Sequence, residues 1–487
     1  MPRFHIINFG CRANQADGAV LQEELARRGF EPATGHEQAD IVVLNSCTVT
    51  AAADYGARQA ARRVYRENPA ARILVTGCYA QRSPQELAAL PGVEYVVGNS
   101  HKEGITRLLS QGLPFEAGPR ATEPSAARLA AGGNAQLVPG FVPVNELFHP
   151  GATAKILRDD IFSHPELLAA SALGGPPSNR TRPNLKVQDG CNNRCSFCII
   201  PYVRGRSRSL PLADVLNQIR GLSQAGYREV VLSGINLGRY GRDLDRGGDG
   251  KLRLARLIRA ILKETSIERL RLSSVEPMDF TDELLELMAS SSRIARHIHA
   301  PLQSGSERIL RLMHRKYHPY NYRDRMEAAF QRLPNAAFGA DVMVGFPGES
   351  DQDFEETRSL IASLPFTYLH VFPFSRRPGT PADKMGGQVH GAVIRERARI
   401  LREMAAEKNL RFRREQLGRL LEVVTLEEFT PGGSSALSDH FLDVLIPGER
   451  LPANRLIPVR IVGVSKDGLV GSETRADASG WLPVSQH

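Results

Sequence analysis

Short apolar runs alternate with longer segments of helical periodicity along most of the chain. Residues 4–10, 40–46 and 71–77 are brief, β-branched-rich runs that read as buried strands. Between them, 18–28 (closed by Gly29) and 54–66 read as helices, so the order is strand, helix, strand, and the sheet is expected to be parallel. Each of these strands leads directly into a cysteine: Cys11, Cys47 and Cys78. In a parallel sheet the strands share their carboxyl edge, where doubly wound folds bind ligands. The alternation resumes further on, with Leu212, Val215, Leu216, Ile219 and Leu222 on one helix face and strands at 230–232, 270–272, 298–300, 340–344 and 369–372. Repeated strand–helix units of this length predict a partly closed parallel barrel whose site lies at the carboxyl ends of its strands. From Gly418 the texture changes to short runs at 420–426, 441–446, 457–464 and 468–470, separated by glycine and proline turns. This pattern predicts a small β-barrel.

The fold class expected is therefore α/β and multidomain. A doubly wound domain covers 1–112, a Pro/Gly-rich connection 113–184, a partial (βα) barrel 185–416, a small β-barrel 417–474 and a tail 475–487. The connection holds ten of the thirty-one prolines and no cysteine, and reads as a passive surface segment with one short helix near 159–168. No run of eighteen apolar residues and no signal-like start is present, so a soluble, cytoplasmic protein with no membrane partner is expected. Six cysteines in 487 residues are too sparse for a secreted disulfide framework. A net charge of +9 favours an anionic partner.

Three of those cysteines form Cys191-x3-Cys195-x2-Cys198. Soft thiolates this close favour zinc or iron–sulfur binding. A structural zinc site needs a fourth closed ligand, and the nearest histidine is His164, upstream of the loop. A [4Fe–4S] cluster held by three cysteines instead keeps one iron open for a small chelating molecule. Close by, Arg204, Arg206 and Arg208 supply guanidinium forks that suit phosphate, and so a substrate backbone. Strand ends further on carry Gly234-Ile235-Asn236, Ser274, Gln303 and Asp341. Helix capping and turn closure are the structural alternatives for these polar residues.

The cysteine loop, with Phe197 before its third thiol, resembles the signature of the radical S-adenosylmethionine (SAM) enzymes. Gly10-Cys11-Arg12-Ala13-Asn14, Asn45-Ser46-Cys47-Thr48 and Thr76-Gly77-Cys78-Tyr79 resemble the amino-terminal motifs of the radical SAM methylthiotransferases. The resemblance implies two [4Fe–4S] clusters, one on Cys191, Cys195 and Cys198 and an auxiliary one on Cys11, Cys47 and Cys78, with SAM as second cofactor. It implies cofactor contacts at Phe197, Gly234 and Asn236, although Ile235 and Asn236 replace the family's usual second glycine and acidic residue; Ser274, Gln303 and Asp341 are candidate contacts for SAM or the target. It also implies an RNA-binding TRAM-like module at the carboxyl end, and an electron donor of flavodoxin or ferredoxin type; the sulfur donor stays open.

Gln188-Asp189-Gly190-Cys191, Cys47-Thr48-Val49-Thr50 and Arg206-Ser207-Arg208-Ser209 most resemble the branch that converts N6-threonylcarbamoyladenosine, next to the tRNA anticodon, to its 2-methylthio derivative. The isopentenyladenosine and ribosomal-aspartate branches share every cysteine and remain alternatives. A non-catalytic iron–sulfur or zinc RNA-binding protein is the alternative from another class. From Gly418 onward six Arg/Lys face nine Asp/Glu, so RNA attraction is expected from the 204–208 loop and the basic 392–416 helix more than from the final barrel.

Overall fold

A computed structural model describes residues 1–111, 154–164, 181–244, 253–430 and 432–473. These form two compact units: one of residues 1–10, 21–48 and 52–163, the other of 11–20, 49–51 and 164–487. The tail from 475 and most of the 113–184 connection lie outside the described residues.

The first unit is built on a six-stranded parallel sheet of β1 (Arg3–Asn8), β2 (Glu31–Pro32), β3 (Ile41–Ser46), β4 (Arg72–Gly77), β5 (Val93–Gly98) and β6 (Lys155–Leu157), in the order β2-β1-β3-β4-β5-β6. Both faces of β3 and β4 are buried. Val42, Leu44 and Val75 pack with Ala57, Ala61 and Val64 on one side, while Val43 and Leu74 pack with Leu21 and Leu25 on the other. That is why these strands read as continuous apolar runs rather than alternating ones. The connection is not wholly passive, because its residues 155–157 add the sixth strand beside β5. Of the short helix expected near 159–168, residues 165–168 lie outside the described residues, and the described part holds one 3-10 turn, Ile161–Ser163.

In the second unit, β7 (Asn184–Asp189), β9 (Glu229–Gly234) and β10 (Arg269–Leu272) are parallel, with β8 (Arg208–Ser209) antiparallel to β7. A second parallel sheet holds β11 (His297–His299), β12 (Ala337–Val344) and β13 (Tyr368–Pro373), and a Leu270–Ile294 bridge links the two. This is the partial barrel expected. Its outer face buries Val187, Val230, Leu232 and Leu270 with helix residues Val215, Ile219, Leu257 and Ile258. Each such burial stabilises by about 1.5–3 kcal/mol. The inner face is polar and carries Lys186, Gln188, Glu229, Ser233, Arg271, His299 and Asp341.

The carboxyl-terminal residues form a closed barrel of β14 (Leu420–Thr430), β15 (Gly433–Ser438), β16 (Asp443–Pro447), β17 (Leu456–Val464) and β18 (Leu469–Glu473), ordered β14-β15-β16-β18-β17. Strand β17 alternates as a small barrel requires: Ile457, Val459 and Ile461 point inward, while Pro458 and Arg460 face solvent. No helix among the described residues is long and apolar enough to cross a membrane.

Candidate active site

The Cys191–Cys198 loop leaves the carboxyl end of β7 through Gly190. At φ +70° this residue sits where a Cβ would overlap the Arg206 carbonyl. Backbone bonds then fix the loop. Cys191 N–H donates to Gly205 O (3.1 Å), Ser196 N–H to Met313 O (3.0 Å), and the Ser196 hydroxyl to Leu312 O (2.7 Å). Phe197 packs edge-on against Phe346, with ring centroids 6.5 Å apart. That contact holds the loop against a small cluster of Ile309, Met313 and Ala382.

The three thiols lie close enough to influence one another. Burial first, and then Cys195 and Cys191, push the Cys198 thiol up to about 12. Arg315 offsets only part of this, and an iron–sulfur cluster supplies further positive charge on binding. The polar surroundings suit sulfur ligands. Asn193 N–H lies 3.4 Å and Asn236 Nδ2 3.8 Å from Cys191 Sγ, and Arg315 Nη1 lies 3.4 Å from Cys195 Sγ. Arg315, almost fully buried, also pairs with Glu276 and sits 4.9 Å from the centre of the Tyr317 ring.

Asn236 follows β9 and is 5% exposed. Its N–H donates to Gln188 Oε1 (2.7 Å), while Gln188 Nε2 donates to Gly190 O (2.8 Å) and Ser207 Oγ (2.9 Å). Its buried Oδ1 has no hydrogen-bond partner, so the side chain offers an acceptor beside Cys191. Ser273 Oγ is likewise buried and unpartnered at the end of β10. Asn236 beside the thiol loop, and Ser273 at the end of the neighbouring strand, are orphaned groups that suit a small molecule with ammonium and carboxylate groups. Gly234 lies directly against Gln188, whose side chain would meet any added Cβ. Gln303 adopts φ +64° and donates its N–H to Asp341 O (2.8 Å), which makes it a backbone feature of the strand end. Ser274 and Asp341 are both occupied by histidines: Ser274 Oγ lies 2.6 Å from His299 Nδ1, and Asp341 Oδ1 lies 3.1 Å from His370 Nδ1.

The arginine run divides three ways. Arg206 is exposed and Arg208 half-buried, with Nη1 donating to His164 O (2.7 Å). Arg204 corrects the expectation of a substrate contact, because it is 2% exposed and its guanidinium is committed internally. It donates to both Asp189 oxygens (2.9 Å each), to Asp17 Oδ2 (2.9 Å) and to Asn14 Oδ1 (3.1 Å). The basic helix is also partly spent. Arg397 is buried against Glu349 and Asp351, Arg413 donates to Ser465 O, and Arg399 pairs with Glu396 and Glu403. Arg315, Gln188 and Ser273 are the site residues that the sequence reading did not single out. Gln188 had a signal in its place directly before the cysteine loop; Arg315 and Ser273 had none beyond a charged or hydroxylic residue near a strand end.

In the first unit, β3 and β4 run in parallel register with Ser46 opposite Gly77, so Cys47 and Cys78 follow neighbouring strand ends. Both are buried, and Asn99 Nδ2 lies 3.5 Å from Cys78 Sγ. Gly10 packs so closely on the Cys47 side chain that a Cβ there would overlap it. Cys11 is exposed.

A parallel partial barrel that presents Cys-x3-Cys-x2-Cys at its strand ends, with free acceptors beside it, defines a radical SAM enzyme, whose cofactors are a [4Fe–4S] cluster and SAM. The Radical SAM superfamily model matches residues 185–361, and the model described as uncharacterized protein family UPF0004 matches residues 3–98. The threonylcarbamoyladenosine tRNA methylthiotransferase MtaB of Aquifex aeolicus is 36% identical over 435 residues, covering 89% of this chain and 94% of that protein. The Bacillus subtilis protein of the same name is 33% identical, covering 94% and 93%. A tRNA-2-methylthio-N(6)-dimethylallyladenosine synthase of Carboxydothermus hydrogenoformans is 32% identical, covering 86% and 87%. Among solved structures, the radical SAM methyltransferase TsrM of Kitasatospora setae shares the fold, with TM-score 0.51, 16% identity and coverage of 79% and 75%. The chain belongs to the radical SAM methylthiotransferase family, in the branch of the threonylcarbamoyladenosine tRNA methylthiotransferases.

Proposed function

We infer that the protein converts N6-threonylcarbamoyladenosine in tRNA, next to the anticodon, to 2-methylthio-N6-threonylcarbamoyladenosine. The observation that carries this reading is the near full-length similarity, at 30–36% identity, to five proteins that all bear the threonylcarbamoyladenosine name. Reductive cleavage of SAM at the bound cluster supplies the radical chemistry. The chain's own part is to hold the three thiols with Gly190 and Ser196, to hold Asn236 against Gln188, and to offer the Asn236 and Ser273 oxygens to SAM. Phe197, Gly234 and Gln303 shape that pocket through packing and backbone. The test is mass spectrometry of digested tRNA from a deletion strain. The 2-methylthio-threonylcarbamoyl nucleoside should disappear and return with the gene. Loss of the dimethylallyl analogue instead, or of a modified ribosomal aspartate, overturns the reading.

We propose a second [4Fe–4S] cluster on Cys11, Cys47 and Cys78. Support comes from the place of Cys47 and Cys78 after adjacent parallel strands, and of Cys11 three residues beyond β1. Replacing all three by alanine is expected to abolish methylthio transfer and leave reductive cleavage of SAM to 5′-deoxyadenosine measurable by chromatography. Loss of cleavage with the first cluster's spectrum intact overturns the division of labour. An electron donor of flavodoxin or ferredoxin type is part of the same proposal.

RNA contact by the 204–208 loop falls to Arg206, its one fully exposed arginine. Arg206→Ala is expected to flatten the slope of log affinity against log salt by about 0.7–0.9 for each phosphate that the guanidinium neutralises. An unchanged slope removes Arg206 from the interface.

A further inference from the structure

Three side chains on the inner face of the second sheet converge without any part in holding the cysteine loop. The register sets His299 opposite Gly339 and Asp341 opposite His370, so His299, Asp341 and His370 project from the same face of β11, β12 and β13. Gly339 makes this possible, because a Cβ there would overlap the Tyr368 ring, which stacks beside His299 at 5.8 Å and 14°. One ligand atom from each of the three residues lies within 4.8 Å of the others.

We propose that His299, Asp341 and His370 bind a divalent first-row transition metal ion with an open coordination position. Two imidazoles and one carboxylate are a donor set for such ions. The separations fit: His299 Nε2 lies 3.2 Å and His370 Nδ1 3.1 Å from Asp341 Oδ1. With metal–ligand bonds of about 2.0–2.1 Å, neighbouring ligand atoms stand roughly 3.0 Å apart in an octahedron and about 3.3 Å in a tetrahedron.

The decisive feature is His299. It is 5% exposed, its Nδ1 is engaged with Ser274 Oγ at 2.6 Å, and its buried Nε2 approaches Asp341 Oδ1 at 3.2 Å without completing a well-aligned hydrogen bond. A ring whose Nδ1–H donates to a hydroxyl directs the Nε2 lone pair into the cluster, which is how ligating histidines are oriented from behind. His370 is half-exposed, so the cluster is open on one side, where water or an anionic oxygen of a substrate completes the coordination. Metal binding replaces the direct contact between His370 Nδ1 and Asp341 Oδ1 with bonds from both atoms to the ion. The proposal does not depend on which tRNA base is modified.

The experiment uses anaerobically reconstituted holoenzyme equilibrated with Zn2+ and desalted, with bound zinc measured by elemental analysis and X-ray absorption at the zinc edge. One zinc per chain is expected, ligated by nitrogen and oxygen at about 2.0–2.1 Å. That equivalent should vanish in Asp341→Asn and in His370→Ala, with His370→Gln as the variant that best keeps the packing. Ser274→Ala should bind zinc about 10–100-fold more weakly. Sulfur ligation at the zinc edge, an equivalent retained by both His370 variants, or no zinc bound at all overturns the site.

Discussion

Replacing Cys191, Cys195 and Cys198 together by alanine is expected to drop 5′-deoxyadenosine formation from SAM to the uncatalysed background. About half of the iron should remain, if the second cluster also holds about four atoms. The fold should survive, because the loop is pinned by bonds that use no thiol: Ser196 to Met313 and Leu312, and Ala382 N–H to Ser196 O at 2.9 Å. Phe197 still packs on Phe346. In the cluster-free protein burial and neighbouring thiols keep Cys198 neutral at pH 7, so its replacement removes no ionised group. The cluster-free variant should therefore be no less stable to denaturant than the cluster-free parent. Iron content, 5′-deoxyadenosine yield and the denaturant midpoint are the three readouts. Cleavage that persists removes this loop from the chemistry; complete loss of iron, with the first unit folded, removes the second cluster.

The parts of this site legible in the sequence were those fixed by local spacing. The Cys-x3-Cys-x2-Cys interval and the cysteines after β1, β3 and β4 belong to single segments whose strand character is plain from their Val and Ile content. What escaped depends on partners distant in the chain. Arg204 looked like one of three loop arginines, yet one of its two carboxylate partners, Asp17, lies 187 residues away, and no local pattern marks that pairing. His299, Asp341 and His370 each sit on a correctly read strand, but only the register of three strands puts them on one face. Strand β15 was missed for another reason. Gly433-Ser434-Ser435-Ala436-Leu437-Ser438 has no β-branched or aromatic residue, and its ladders to β14 and β16 hold it rather than propensity.

Arg204→Met should destabilise the second unit by about 3–5 kcal/mol, the usual result of breaking a buried ion pair from one side. The guanidinium balances a closed set of charges. Arg204 and Lys186 face Asp17 and Asp189, with Lys186 Nζ bonded to Asp17 and lying 2.8 Å from Asp189 Oδ2, and all four side chains are at most 8% exposed. Burial opposes every charge in the set. For Asp189 the attraction of Arg204 and Lys186 outweighs it and holds the carboxyl well below its ordinary range. For Lys186 the carboxylates of Asp17 and Asp189 likewise outweigh burial and hold the ammonium above its ordinary value. A depressed carboxyl contributes stability that is present above its unfolded value, near pH 4, and is lost as pH falls through the folded value. Without Arg204 two carboxylates share one ammonium, and protonating either relieves the imbalance. The gap between parent and variant is therefore expected to be widest at neutral pH and to narrow as pH falls below about 5. Adding Asp17→Asn restores the charge balance and should recover part of the loss, a coupling of at least about 1 kcal/mol in a double-mutant cycle. Function follows stability here, since Asp189 Oδ1 accepts the Gly190 N–H at 2.8 Å and so anchors the residue before Cys191. A loosened Asp189 should lower cluster retention at neutral pH, in step with the denaturant midpoint. A gap between parent and variant that stays constant from pH 7 to about pH 4, or an Asp17→Asn effect that simply adds, means that the four charges do not act as one set.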